Sequence, residues 1–574
     1  MEVQNPPEQR QDVVAANGLS RELESRFRDC RLKRPFRRSA YDPGDVLEYG
    51  VTGVFPKVPA RVRALVERYV GGGFAGQVYR VKVLEIVPVS ILPVVESAEL
   101  AAGSDAVGDV GLVEGRTYAV KILRPRSRFA RGFRNLLYFL GYQAHFGAEV
   151  LPSAVRAGVL WQKLIRRAMA HETGDEAAVC DTYATFYDRE LQSFGEINEW
   201  IDGRIWKFEA DDRIFSRWDF EDSPPVDHSS PEYVHKKRFM KGLVNLLHRM
   251  GAGELARQYE WWTGKSTPNV LKRLSGEGSP RAGLTAVDFR AGLTLLPFLP
   301  MSPADIILIV RGLFRGRLVQ FDRCDMTRLR SFVEQSRAFA DLQPAVDELV
   351  SQTASYRASQ PDVTHHHVRL LFSRRLRASV RRGAIRSWLS RGWLDDRGAD
   401  LLGSRPLLWP VLWTVSWIPW LGRFCVSIWG NASSRRHLRL CWTDADYRGR
   451  ALLGSRIETL IRWCRDGRAG AARAARLVDR PLAYWLERLT AGWLPAAWHR
   501  FVTDWAWAGE QIRDKVSFTL SFLRKPLFRE QVLLDEVRRG REEGMLTASE
   551  TSRIESQIKD PFMQKYLKFL AVHL

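Results

Sequence analysis

The chain has 574 residues, 45% hydrophobic and 27% charged, a balance that supports large folded cores and excludes a disordered or fibrous protein. Its formal net charge is +21, with 37 of its 87 Lys and Arg falling from Arg369 onward, so an anionic surface, phospholipid or nucleic acid, is the natural partner of that last third. Its six cysteines are scattered and form no CxxC pair, which excludes a disulfide framework or zinc ribbon and fits reduced thiols in a cytoplasmic setting.

The opening stretch "MEVQNPPEQRQDVVAANGLS" is polar and lacks the apolar core of a signal peptide. Residues 1–55 are expected to form a flexible tail with one short helix in "SRELESRFRDC". Next comes "YVGGGFAGQVYRVKVLEI", in which Gly71, Gly73 and Gly76 fit G-x-G-x-x-G. Alone the pattern is weak, because two unrelated phosphate-binding folds share it. A dinucleotide fold needs a helix after the third glycine. Here "QVYRVKVLEIVPV" alternates like a strand, and Val78 extends the pattern to G-x-G-x-x-G-x-V. A second strand in "GRTYAVKILRP" carries Lys121, where an ammonium suits the phosphates of a nucleotide as a point charge. The plain alternative is a lysine facing solvent. About 45 residues separate Gly76 from Lys121, too many for a hairpin, so 87–114 must hold an inserted loop.

Further along, "EINEWIDGRIW" reads as a strand followed by a small-residue turn, and "RFMKGLVNLLHRMGAG" as an amphipathic helix. "KSTPNVLKRL" then contains Pro268-Asn269-Val270-Leu271, and "GLTAVDFRAGL" contains Asp288-Phe289. In this order, over about 220 residues, these stretches resemble the protein-kinase-like superfamily: glycine loop between strands, lysine strand, hinge, P-x-N-[VI]-L and a DFG motif with Arg290 in place of glycine. The resemblance implies an α+β fold with a two-lobed kinase-like domain, its N-lobe at 56–205 and its helical C-lobe at 206–360. It further implies ATP held by Gly71, Gly73, Phe74, Gly76, Val78 and Lys121, with Mg held by Asn269 and Asp288.

The pattern also breaks. Five residues before Asn269, where the family has its catalytic aspartate, stands Gly264, which cannot orient a substrate hydroxyl or accept its proton. Glu254 or Glu260 from the longer loop, with Lys265, are the substitutes left for catalysis. The helix expected to supply a carboxylate for Lys121, "PSAVRAGVLWQKLIRRAMAHE", has none in its body, leaving Glu149 before it or Glu172 after it. Arg290 lacks a glycine's easy access to positive φ. Two expectations follow: Mg-dependent phosphoryl transfer or ATP hydrolysis, or a pseudokinase scaffold that binds without turnover and recruits a protein partner or senses lipid.

Residues 361–574 read as an all-α tandem repeat. "GWLDDRGADLLGSRPLLW" and "GRAGAARAARLVDRPLAYW" align with glycine and proline fourteen residues apart, and prolines 406, 481 and 561 set a period of 75 to 80. The units are about 365–440, 441–520 and 521–574. The third stops inside an apolar stretch, so the natural chain is expected to continue. Fourteen of the twenty tryptophans lie between Trp388 and Trp507, interleaved with arginines. They suit a helical core or a membrane headgroup layer. No groove-reading motif points to specific nucleic-acid binding. The segment 406–430 is interrupted by prolines, which suits a re-entrant or in-plane helix more than a span. This layout resembles the AarF/UbiB group, in which a kinase-like domain is coupled to membrane-associated helices and linked to lipid or quinone metabolism. Lipopolysaccharide-kinase-like proteins are a comparable relative. The group implies a cytoplasmic protein peripheral to, or inserted in, the cytoplasmic membrane.

Overall fold

The computed structural model describes residues 7–72, 76–88, 110–126, 152–204, 231–256, 269–273, 283–290, 324–359, 372–405, 407–415, 421–491, 496–542 and 548–559, with 131, 259, 310 and 494 between them. It is an α+β protein, a β-barrel region followed by a helical region. A helix α1 (Pro7–Asp29) precedes strands β1 (Val46–Gly53), β2 (Pro59–Gly72), β3 (Gln77–Pro88) and β4 (Thr117–Ile122). Helix α2 (Pro152–Thr173) leads into β5 (Thr182–Asp188) and β6 (Ser193–Glu199). These six strands close into an antiparallel barrel in the order β1-β2-β3-β4-β6-β5, which leaves no unpaired edge.

Strict alternation makes the barrel. Leu47, Tyr49 and Val51, Val62, Ala64 and Val66, Tyr79, Val81 and Val83, and Tyr118, Val120 and Ile122 all point inward and form one core with Ala184, Phe186 and Ile197. The residues between them face out. Inside, the buried Asp188 carboxylate accepts hydrogen bonds from the Tyr41 and Tyr49 hydroxyls, both at 2.8 Å, and from the Leu191 amide at 2.7 Å. A buried carboxylate so satisfied does not carry the cost of an orphan charge.

Below the barrel, β7 (Gly203–Arg204), β8 (Val270–Arg273) and β9 (Leu284–Ala286) form a small antiparallel sheet. Around it stand α3 (Pro231–Arg249), α4 (Gly253–Ala256), α5 (Met326–Glu334) and α6 (Gln343–Ser359). Met240, Leu243, Leu246, Leu247 and Met250 bury one helical face of α3 and its end, and Gly251, at φ +78°, turns the chain where a side chain would strike the Asp325 carbonyl. Barrel and helices are clamped by Arg156 on α2. Its guanidinium donates to the Gly53 and Val54 carbonyls at 2.6 and 2.9 Å and to both oxygens of Glu348 on α6 at 2.9 and 3.0 Å. Lys57 adds a second cation 3.2 Å from Glu348.

The helical region continues with α7 (Arg374–Ser390), α8 (Asp396–Ser404), α9 (Leu408–Val415), α10 (Leu421–Gly430), α11 (Ala432–Thr443), α12 (Ala445–Arg465), α13 (Ala471–Asp479), α14 (Pro481–Ala491), α15 (Ala496–Thr503), α16 (Trp505–Arg524), α17 (Pro526–Glu542) and α18 (Ala548–Lys559). The repeat is visible in its hydrogen bonds. The Trp388 carbonyl accepts from the Trp393 and Leu394 amides at 2.8 and 3.3 Å, and 75 residues on the Trp463 carbonyl accepts from Arg468 and Ala469 at the same distances. Gly392 and Gly467 supply the positive φ in each turn, and both tryptophans are buried. Pro481 opens α14 and Pro526 opens α17, as a residue without an N–H should. Pro406 and Pro561 lie outside the described residues.

Two expectations about boundaries change. Residues 1–55 are not simply a tail. Leu19, Leu23 and Phe27 form a stripe at helical spacing on α1 that packs with Ile457, Leu460 and Leu477 of the second repeat, and 46–53 is a barrel strand. The division near 360 is not a packing boundary either: Trp388, Leu394, Leu402, Leu412 and Val426 of the first repeat share one core with α2, α3 and α6.

Removing the clamp gives the first testable consequence. Arg156→Ala leaves Glu348 to Lys57 alone and takes a donor from two carbonyls, and chemical unfolding should show a loss of about 3 kcal/mol. Burial alone would push the Glu348 carboxyl up, but Arg156 and Lys57 hold it below the usual glutamate value. Its contribution is therefore complete above the unfolded value of about 4.3 and lost as pH falls through the lower folded one. The stability gap between wild type and Glu348→Gln should be widest near neutral pH and close below roughly pH 4.

Candidate functional site

Barrel register brings one row of residues together. Gly71 on β2 pairs with Val78 on β3, Val78 with Lys121 on β4, and Lys121 with Glu196 on β6, so all four positions share the outer face of the barrel. Lys121 sits between the inward-facing Val120 and Ile122, and its side chain leaves the barrel toward the small sheet below. That sheet is stitched in place. Arg273 on β8 binds both oxygens of Glu199 at 2.8 and 3.1 Å, the Thr285 hydroxyl donates to the Ala177 carbonyl, and the Cys180 amide donates to Ala286. β9 thus ends directly under Lys121, and Asp288 follows two residues later.

The result is a cluster of four charges, Lys121 and Glu196 buried, Asp288 and Arg290 half-buried. Lys121, only 7% exposed, forms an ion pair with Asp288 Oδ1 and lies 3.3 Å from Glu196 Oε1. Arg290 grips the same aspartate, Nε 2.7 Å from Oδ1 and Nη2 2.5 Å from Oδ2. Asn198 donates to Glu196 at 3.2 Å. Burial opposes the charged form of Asp288, yet Arg290 and Lys121 hold its carboxyl far below the usual carboxylate range. Asp288 has φ +71°, a left-handed conformation that Asp tolerates better than most residues and that clusters at functional sites. Phe289 anchors the turn in the core against Tyr259, whose hydroxyl donates to the Val287 carbonyl at 2.6 Å.

The expected site residues divide accordingly. Lys121 and Asp288 are in contact, Val78 is the cross-strand neighbour of Lys121, and Gly71 and Gly76 flank the loop. The Asn269 carbonyl accepts from the Val287 amide at 2.8 Å, one residue short of Asp288 on the facing strand. Gly73, Phe74, Glu149, Glu260 and Lys265 lie outside the described residues. Two expectations are corrected. Glu254 does not bend in from a loop: it is buried in α4, its carboxylate 3.9 Å from the Cys324 thiol, because Ala252 and Leu255 fix that turn in the helical core. Glu172 does not face Lys121 either: it pairs with Arg249, and among the described residues the carboxylate across the sheet from Lys121 is Glu196 on the adjacent strand. That residue was missed because only strand register reveals it. Arg290 has no positive φ, in keeping with the loss of glycine there, whereas Asp288 does, and the signal for the Arg290 pair was the Asp-x-Arg spacing itself.

Asn269 and Asp288 were expected to hold Mg, and the donor set does not fit a resident divalent ion. Both Asp288 oxygens already face cations. An ion coordinated to Oδ2 at about 2.1 Å would meet the Arg290 guanidinium at roughly 4 Å, a repulsion of several kcal/mol at an effective dielectric of about 20. Among the described residues no cluster of three His, Cys, Asp or Glu side chains offers another such site. The six cysteines are free thiols. Comparison with models of known protein families finds no match, and no curated protein matches the chain.

The glycines are not equivalent. A Cβ on Gly76 would lie 2.3 Å from the Ile122 carbonyl oxygen and 3.1 Å from Leu123 Cα, whereas one on Gly71 meets nothing within 4 Å. Gly76→Ala must push β3 from β4 and should cost about 1–3 kcal/mol in urea unfolding. Gly71→Ala should stay within about 0.5 kcal/mol of wild type.

Proposed function

We propose that the chain is a kinase-like nucleotide-binding protein that acts at an anionic membrane surface and holds nucleotide without turning it over. One observation carries the nucleotide reading: Lys121 and Asp288, 167 residues apart, meet in a partly buried pair beside the glycine hairpin. A buried lysine and a half-buried arginine converging on one carboxylate next to a Gly-rich turn are groups that a polyphosphate can recruit. The absence of turnover rests on Gly264, which stands where a catalytic carboxylate would be needed, and on the burial of Glu254 in the core. ATP in Mg-containing buffer should raise the melting temperature of wild type, corresponding to about 2.7 kcal/mol at a hundredfold excess over Kd. Lys121→Ala and Lys121→Met should abolish the ATP-induced shift whatever their own melting temperatures, and no phosphate should be released. An equal shift in these variants removes the nucleotide from this site.

The membrane reading rests on apolar side chains that both repeats leave in solvent. Leu407 and its equivalent Leu482 are 88% and 80% exposed, and Val411 and Leu486 are 59% and 68% exposed. On α14, Leu482, Trp485, Leu486 and Leu489 follow i, i+3, i+4, i+7 spacing, yet this stripe faces out. Arg488 lies over the Trp485 ring at 4.7 Å, an aromatic–cation pairing suited to a headgroup layer. No described helix is long and apolar enough to cross a membrane. The purified protein should float with vesicles containing phosphatidylserine at low salt and lose most of that binding at high salt or with Leu482→Glu/Leu486→Glu. Recovery in the soluble fraction at low salt defeats the membrane reading.

A further inference from the structure

We infer that Arg290 stands in for the divalent cation at this site, so that a nucleoside triphosphate binds without bound metal. The inference rests on the nucleotide reading above and concerns how that nucleotide is held. A triphosphate brought against a half-buried carboxylate needs positive charge between the two. A divalent ion usually supplies it, bridging carboxylate and phosphate oxygens. Here a guanidinium already holds both Asp288 oxygens, through Nε at 2.7 Å and Nη2 at 2.5 Å, while Lys121 pairs with Oδ1 from the other side.

Three features make the guanidinium part of the site and not a passing surface contact. Arg290 and Asp288 are two residues apart, so the fork closes over one short turn, and the left-handed backbone at Asp288 sets that turn. Phe289 is buried between them and fixes the turn in the core. The Arg290 side chain is 17% exposed, so the pair is largely shielded from water. Arginine suits the task because its rigid array of five donors can bridge a carboxylate and a phosphate while keeping its charge at every accessible pH. The cluster of Lys121, Arg290, Asp288 and Glu196 is neutral as it stands, two cations against two carboxylates. A triphosphate can draw the cations outward without any of them leaving the site, whereas a divalent ion at Asp288 must first displace Arg290.

Calorimetric titration of the full chain with ATP, in excess EDTA and in excess MgCl2, tests this directly. Affinity in EDTA should be within about threefold of that in Mg, or tighter. In Arg290→Gly, whose circular dichroism should match wild type, affinity in EDTA should fall by about tenfold or more and be recovered with Mg. Arg290→Lys keeps the charge but loses the fork and should fall between the two. Wild-type binding that weakens more than about threefold in EDTA overturns the inference while leaving the nucleotide reading intact. No heat of binding in either buffer overturns both.

Discussion

The two-residue period of β4 is the constraint on which the site depends. Val120 and Ile122 must enter the barrel to complete a core built from five other strands, and that requirement turns Lys121 outward. A one-residue slip would turn the ammonium in among valines and tyrosines and take it away from Glu196 and Asp288. Close packing on both flanks prevents the slip. Gly76 and Gly195 approach the end of β4 from opposite sides, each where a Cβ would collide with β4 backbone, so only this register lets the three strands meet. The glycine hairpin and the lysine are therefore fixed relative to one another by the same packing that closes the barrel.

Charge then determines what the outward-facing lysine can do. A buried ammonium is costly unless paired, and two carboxylates from different elements meet it, Glu196 across the sheet and Asp288 from below. A second carboxylate would leave the cluster negative, and Arg290 restores the balance. Such an arrangement is stable without any ligand, unlike an acidic site that needs a cation to fold around. The same logic holds at Arg156, where one guanidinium joins barrel carbonyls to a helix carboxylate. Arginine forks thus sit at both junctions, one between barrel and helices and one inside the site.

Much of this was legible because it is local. The alternation after Gly76, the helix around Leu243 and the matching turns at Gly392 and Gly467 each depend on residues close in sequence. Lys121 and Asp288 could be singled out by type and neighbours. Glu196 could not, because its role comes from a cross-strand pairing that no local pattern encodes. The barrel closure by β1 was equally hidden: "VLEYGVTG" alternates as a strand, but its place in the barrel depends on pairing with β5, more than 120 residues away. The α1 stripe failed for a related reason. Its partner is the second repeat, over 400 residues on, and an amphipathic segment without a visible partner reads as a tail.

That distant partner also ties the repeats to the site. Arg465, at the end of α12, is buried against Asp42 and Glu24, and Arg38 joins Glu24, Asp45 and Glu190 into the same network. Arg126, just beyond β4, donates to the Arg465 carbonyl and lies 4.9 Å over the ring of Tyr69, on the strand that enters the glycine hairpin. The Tyr69 hydroxyl in turn fills the space beside Gly72. The chain from α12 to the hairpin is therefore two side chains long. On the other side α12 packs on α13, and α13 on α14, whose exposed leucine and tryptophan stripe is the strongest apolar feature of the second repeat. With that stripe in a headgroup layer, the hairpin would be held at a set height and tilt above the bilayer, because every link between them is a packed or charge-paired contact and none is a free linker.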